Sequence, residues 1–107
     1  MNKLNLPYNR QYLDENDIEA VVSALKSDFI TTGPQANLFE QDIARYSGAK
    51  YAVACSSGTA ALHCALNCLN LNSTDEVIVT CLSFVASSNA IIYCGAKPIF
   101  CDIEEDT

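Results

Sequence analysis

The 107 residues, half of them apolar, suffice for one small domain with a single core and are too few for two. Six Lys and Arg against thirteen Asp and Glu leave a net charge of −7, which excludes a nucleic-acid binder that neutralises phosphates with clustered cations. No apolar run approaches the ~20 residues of a membrane span, and MNKLNLPYNRQYLDEND holds no stretch of signal-peptide length, so the expectation is a cytoplasmic protein with no membrane partner.

From Asp14 to Ser27, Ile18, Val21, Val22 and Leu25 fall at i, i+3, i+4 and i+7, with Asp14, Glu15 and Asp17 crowding the start. That pattern predicts an amphipathic helix with its acids at the positive end of the dipole. FITTGP follows as a connector in which Thr32 can cap the next helix and Pro34 suits its first turn. Leu38, Phe39, Ile43 and Tyr46 supply that helix's buried stripe, and Gly48 closes it.

YAVAC (51–55), a helix from about Thr59 to Leu71, EVIVT (76–80), a helix from about Phe84 to Cys94, and PIFCDI (98–103) then alternate. Short apolar runs rich in Val and Ile between helices predict an α/β fold with a parallel βαβαβ core and right-handed crossovers. Strands this continuously apolar call for cover on both sheet faces, which two helices do not provide alone. The chain therefore reads as one partial domain: a helical segment over 1–48, then the start of a larger sheet over 49–107. An intact small α/β domain is the alternative.

Three stretches can carry chemistry. Cys55-Ser56-Ser57-Gly58-Thr59-Ala60-Ala61 joins a strand to a helix. Such a turn offers free backbone N–H groups and a positive dipole end to a phosphate. Gly58 permits close approach and Thr59 adds a hydroxyl; the plainer reading is a serine cap at Ser56 or Ser57. The turn is neither GxGxxG nor a P-loop, which weighs against a dinucleotide fold. Thr80-Cys81-Leu82-Ser83-Phe84-Val85-Ala86 sits at the next strand end, and loops at the carboxyl ends of neighbouring parallel strands face one crevice. Phe84 could there lie over a planar ring, or be an ordinary core residue. Phe29-Ile30-Thr31-Thr32-Gly33-Pro34, with Tyr8 and Arg10 upstream, makes a polar corner that is otherwise only turn chemistry.

The remaining candidates are weaker. Asp28 and Asp102 show no visible partner for acid or base work, and His63 reads as a satisfied or half-exposed helix residue. The six cysteines sit inside apolar runs and read as free thiols acting as small buried hydrophobes. Cys64 and Cys68 share a helical face, but there is no CxxC pair and His63 points about 100° away from Cys64. No metal is expected.

In order, PYNRQYLDENDIEAV, SDFITTGP, SSGTAALHCAL, EVIVTCLSFVASSNAI and YCGAKPIFCDI resemble the beginning of the DegT/DnrJ/EryC1/StrS family of nucleotide-sugar aminotransferases. The resemblance implies the N-terminal part of an aspartate-aminotransferase-like (fold type I) large domain with pyridoxal 5′-phosphate as cofactor. It implies that Gly58 and Thr59 hold the cofactor phosphate, that Phe84 stacks on its ring, and that Tyr8, Asp28, Phe29, Ile30 and Thr31 line the nucleotide-sugar site. The pattern is most like the pseudaminic-acid branch, which aminates a UDP-linked 4-keto-6-deoxy-N-acetylhexosamine with glutamate as the usual donor, and it implies a homodimer for the full-length enzyme. In the family, the Schiff-base lysine and the aspartate that pairs with the pyridinium nitrogen come later. Lys3, Lys26, Lys50 and Lys97 occupy no position resembling that lysine, so the resemblance places no catalytic residue in these 107 and implies that they alone are inactive. The alternative function is a non-catalytic remnant or small-molecule-binding module that keeps the phosphate turn.

Overall fold

In the computed structural model of the chain, which describes Pro7 and residues 9–105, Asp14 opens helix α1 (Glu15–Leu25) as its N-cap. The Asp14 carboxylate accepts from the N–H groups of Asn16 and Asp17 at 2.9 and 3.2 Å. Asp17 answers by accepting from the Asp14 N–H at 3.0 Å, so two donors orphaned by the helix start are satisfied reciprocally. Helix α2 (Pro34–Ser47) begins with Pro34 in its first turn and ends at Gly48, whose φ of +71° is a left-handed conformation that costs glycine little.

The cap expected from Thr32 is not made. Gly33 is the N-cap of α2 and no side chain caps it; Thr32, one residue too early, has a φ of +52° and turns its hydroxyl to the Thr31 carbonyl at 2.7 Å. Gly33 is itself required, because a β-carbon there would run into the carbonyl oxygen of Phe29.

The chain divides into two compact units, one through Ala52 and one from Val53. The second contains α3 (Gly58–Asn67), β1 (Glu76–Thr80), α4 (Ala86–Tyr93) and β2 (Lys97–Cys101). Strands β1 and β2 pair in parallel, Glu76 opposite Lys97 through to Thr80 opposite Cys101, with α4 as the crossover that packs on both strands and on α3. Among the described residues the buried apolar side chains are Ala86, Ala90, Ile91 and Ala96. The alanines of α4 let its backbone approach its neighbours, and Ile91 fills the space between. At the other end of the α3–α4 contact, His63 meets Tyr93 edge-on with ring centroids 5.5 Å apart.

Three expectations need correction: the YAVAC strand, the buried stripe of α2 and the buried cysteines. YAVAC (51–55) is not a strand of the sheet, which has two strands among the described residues. A strand persists through its ladder, and this run stays outside the β1–β2 ladder, crosses the boundary between the units and leaves Val53 81% exposed. Among the described residues α4 is the helix that packs substantially on the sheet, and Ile78, on the face it shares with Ile99, is 76% exposed, in line with two helices being too few to cover both faces. Lastly, the cysteines are free but not buried. Five are exposed and Cys94 is half-buried, for the same reason that the stripes of α1 and α2 are exposed: the described residues bring no second layer over them.

Candidate functional site

Ser57 is the N-cap of α3, and its hydroxyl accepts from the Ala60 N–H at 3.1 Å while its carbonyl takes the Ala61 N–H at 3.0 Å. The plainer reading of the serine turn is thus realised, but it uses up only the third and fourth donors. The N–H groups of Gly58 and Thr59 have no acceptor among the described residues, and the helix dipole adds its positive end there.

These two residues form one wall of an open cavity of about 640 Å³, within the range of small-molecule sites. Phe84 and, from the first turn of α4, Ala86 and Ser87 form the other. One cavity thus gathers Gly58, Thr59 and Phe84, although only the second of the two motifs follows a strand of the sheet. Its apolar floor is Ala61, Leu62 and Ala65, positions three, four and seven residues on from Gly58, a spacing that puts them on one helical face. That spacing was readable in the sequence. So was Ser87, one turn after Ser83.

Among the described residues no charged side chain lines the cavity, so an anion would be held by backbone N–H groups, the Thr59 hydroxyl and the helix end. The space before the turn is open, since a β-carbon built on Gly58 meets no atom within 4 Å. A phosphate on a flat ring fits this layout: donors at one wall, an exposed aromatic at the other. Phe84 is 74% exposed, which leaves its ring available for stacking.

Beside this cavity, at the ends of β1 and β2, Asp102 turns out to have partners. The Cys81 thiol donates to its Oδ1 at 3.1 Å and the Ile103 N–H donates at 2.9 Å. The hydrogen bond to Asp102, reinforced by the carboxylate's charge, raises the Cys81 thiol above its ordinary range. The same bond, with that from Ile103, holds Asp102 below the usual carboxylate range. Asp102 is therefore a poor proton acceptor.

In the first unit, Phe29 and Ile30 line an apolar cavity of about 230 Å³ with Val21, Leu25, Thr32 and Gly33. Asp28 and Thr31 are exposed but not in its wall, and Tyr8 lies outside the described residues. Among the described residues, no group of three His, Cys, Asp or Glu side chains could hold a metal ion, and no helix is long and apolar enough to cross a membrane.

The family model of the DegT/DnrJ/EryC1/StrS aminotransferases matches residues 11–107. The chain belongs to this family. It is 44% identical over 101 residues to UDP-4-amino-4-deoxy-L-arabinose–oxoglutarate aminotransferase of Shewanella sediminis, a match covering 94% of this chain and 26% of that protein. Among solved structures it resembles a sugar aminotransferase of Streptococcus pneumoniae (37% identity, TM-score 0.83, 96% of this chain and 26% of that one), described in a PLP form and a PMP form. It also resembles Helicobacter pylori PseC, an aminotransferase of pseudaminic acid biosynthesis (34% identity, TM-score 0.82, 92% of this chain and 27% of that one). The DegT family chain described here thus has the fold of the N-terminal part of these fold-type-I enzymes, and spans about a quarter of the length of the curated relatives it matches.

Proposed function

We propose that the chain supplies the phosphate seat and ring-stacking wall of a PLP-dependent aminotransferase. The complete enzyme moves an amino group from glutamate to a UDP-linked 4-keto-6-deoxy sugar in pseudaminic acid synthesis, working as a cytoplasmic homodimer. The observation that carries this reading is the single cavity lined by Phe84 and by Gly58 and Thr59, whose N–H groups have no acceptor among the described residues. The named relatives support the reaction class, and the pseudaminic-acid likeness supports the sugar.

Pyridoxal phosphate, when bound, supplies the electron sink that lets bonds at an amino-bearing carbon be made and broken. The chain's own part is to bind and orient. Gly58 and Thr59 donate hydrogen bonds to the phosphate, Phe84 covers one face of the ring, and Ala61, Leu62 and Ala65 keep water from the floor. Tyr8 and the corner Asp28–Thr31 contact the sugar nucleotide. None of Lys26, Lys50 and Lys97 lines the cavity, which favours as second reading a module that binds the cofactor without reacting.

Titrating the 107-residue chain with pyridoxamine 5′-phosphate, which cannot form an imine with lysine, tests the seat. Binding raises the melting temperature, by the equivalent of about 2.7 kcal/mol at a hundredfold excess over Kd. Gly58→Val, which fills the open space before the turn, removes the response. A melting temperature indifferent to both pyridoxamine 5′-phosphate and inorganic phosphate refutes the seat. The two readings separate in the full-length protein given pyridoxal phosphate and glutamate: turnover to the amine form marks a catalyst, unchanged absorbance a binding module.

A further inference from the structure

Phe84 is mostly exposed, so packing does not hold its ring in place, and the N-cap of α4 is Val85, which offers no capping side chain. A helix start of that kind frays unless something else closes it. Here the residues on either side of the ring do so. Ser83 immediately precedes Phe84, Ser87 lies one turn on, and their hydroxyls meet at 3.1 Å. The Ser87 N–H also donates to the Phe84 carbonyl at 3.0 Å, and upstream the Leu82 N–H is tied to the Thr80 hydroxyl at 3.3 Å. Phe84 is thus the apex of a small loop clasped at its base by two serines. Ser83 is exposed, whereas Ser87 is half-buried and lines the same cavity, so the bond joins the loop that carries the ring to a residue of the cavity itself.

We infer that the Ser83–Ser87 hydroxyl clasp is a positioning element that sets the Phe84 ring opposite the Gly58–Thr59 turn for a ligand that is both phosphorylated and planar. The inference rests on the cofactor-seat reading and adds to it a division of labour: the α3 end binds the phosphate, and the clasp governs recognition of the ring. Neither serine need touch the ligand. A clasp that merely steadied the helix would change stability without distinguishing one ligand from another.

The experiment compares the full chain with Ser83→Ala, Ser87→Ala, the double variant and Ser87→Thr. Pyridoxamine 5′-phosphate binding is followed by its fluorescence and induced circular dichroism, and inorganic phosphate binding by phosphorus NMR. Each alanine variant weakens pyridoxamine 5′-phosphate about two- to tenfold, the effect of one neutral hydrogen bond, reduces its induced dichroism, and leaves phosphate affinity unchanged. The double variant is no weaker than either single, because the two hydroxyls form one bond, and Ser87→Thr restores binding. A parallel loss for both ligands, or no loss for either, overturns the inference while leaving the seat intact. If the unmodified chain binds neither ligand, the seat itself is refuted and the clasp with it.

Discussion

Ile91 and Ile92 are adjacent, chemically identical and oppositely placed: Ile91 is 2% exposed and Ile92 is 54% exposed. Replacing each by alanine removes the same atoms, so the difference isolates what the interior of the second unit contributes. Among the described residues Ile91 is the only large member of a core otherwise made of alanines, and truncating it forfeits both transfer free energy and the packing of α4. A loss of about 2–5 kcal/mol follows. For a chain of this length total stability is roughly 5–15 kcal/mol, so Ile91→Ala takes a large part of it. Ile92→Ala, on the exposed side, changes stability by about 0.5 kcal/mol or less. Urea unfolding followed by far-UV circular dichroism measures both, provided the slope with denaturant is unchanged. Equal losses in the two variants, or a loss below about 1 kcal/mol for Ile91→Ala, would refute the assignment of the core to the inner face of α4.

Two further outcomes follow from local geometry. Gly33→Ala drives a methyl against the Phe29 carbonyl, a backbone atom that cannot swing away. It should cost about 1–3 kcal/mol in the same urea assay and distort the cavity lined by Phe29 and Ile30. The Cys81–Asp102 pair gives a pH signature. The raised thiol adds stability below its ordinary range and loses it as pH rises through the folded value, whereas the depressed carboxylate adds stability above its ordinary range and loses it as pH falls through the folded value. The pair is therefore fully effective between those limits. Asp102→Asn should let Cys81 react with iodoacetamide at lower pH than in the parent, as read by mass spectrometry of the modified peptide; an unshifted profile would dissociate the thiol from Asp102.

What could be read from the sequence depended on how local the cause was. Asp14 and Asp17, Pro34 and Gly48 act within one turn of a helix, and their roles are visible from spacing. EVIVT and KPIFC pair in parallel because α4 between them returns the chain to the same sheet edge, whereas the meeting of Gly58 with Phe84 depends on α3 packing on α4. Thr32 was misread as a cap because the chain turns through a left-handed conformation at Thr32 itself, a detail that TTGP does not distinguish from a simple corner. YAVAC, the cysteines and the stripe of α2 depart from expectation for a different reason. Their apolar composition records a need for neighbours, and composition does not say where those neighbours come from. The partners of Asp102 were likewise hidden, being 21 residues away in one case and dependent on strand register.

The open face of the two-stranded sheet bears on how the chain behaves in concentrated solution. Exposed Ile78, beside half-buried Ile99, offers an apolar patch next to unshielded strand edges, a surface on which like sheets can stack or extend. Mutual repulsion from a net charge of −7 keeps such encounters short. Acid or high salt weakens that repulsion without altering the patch, so colloidal stability will fail in those conditions before the helices unwind.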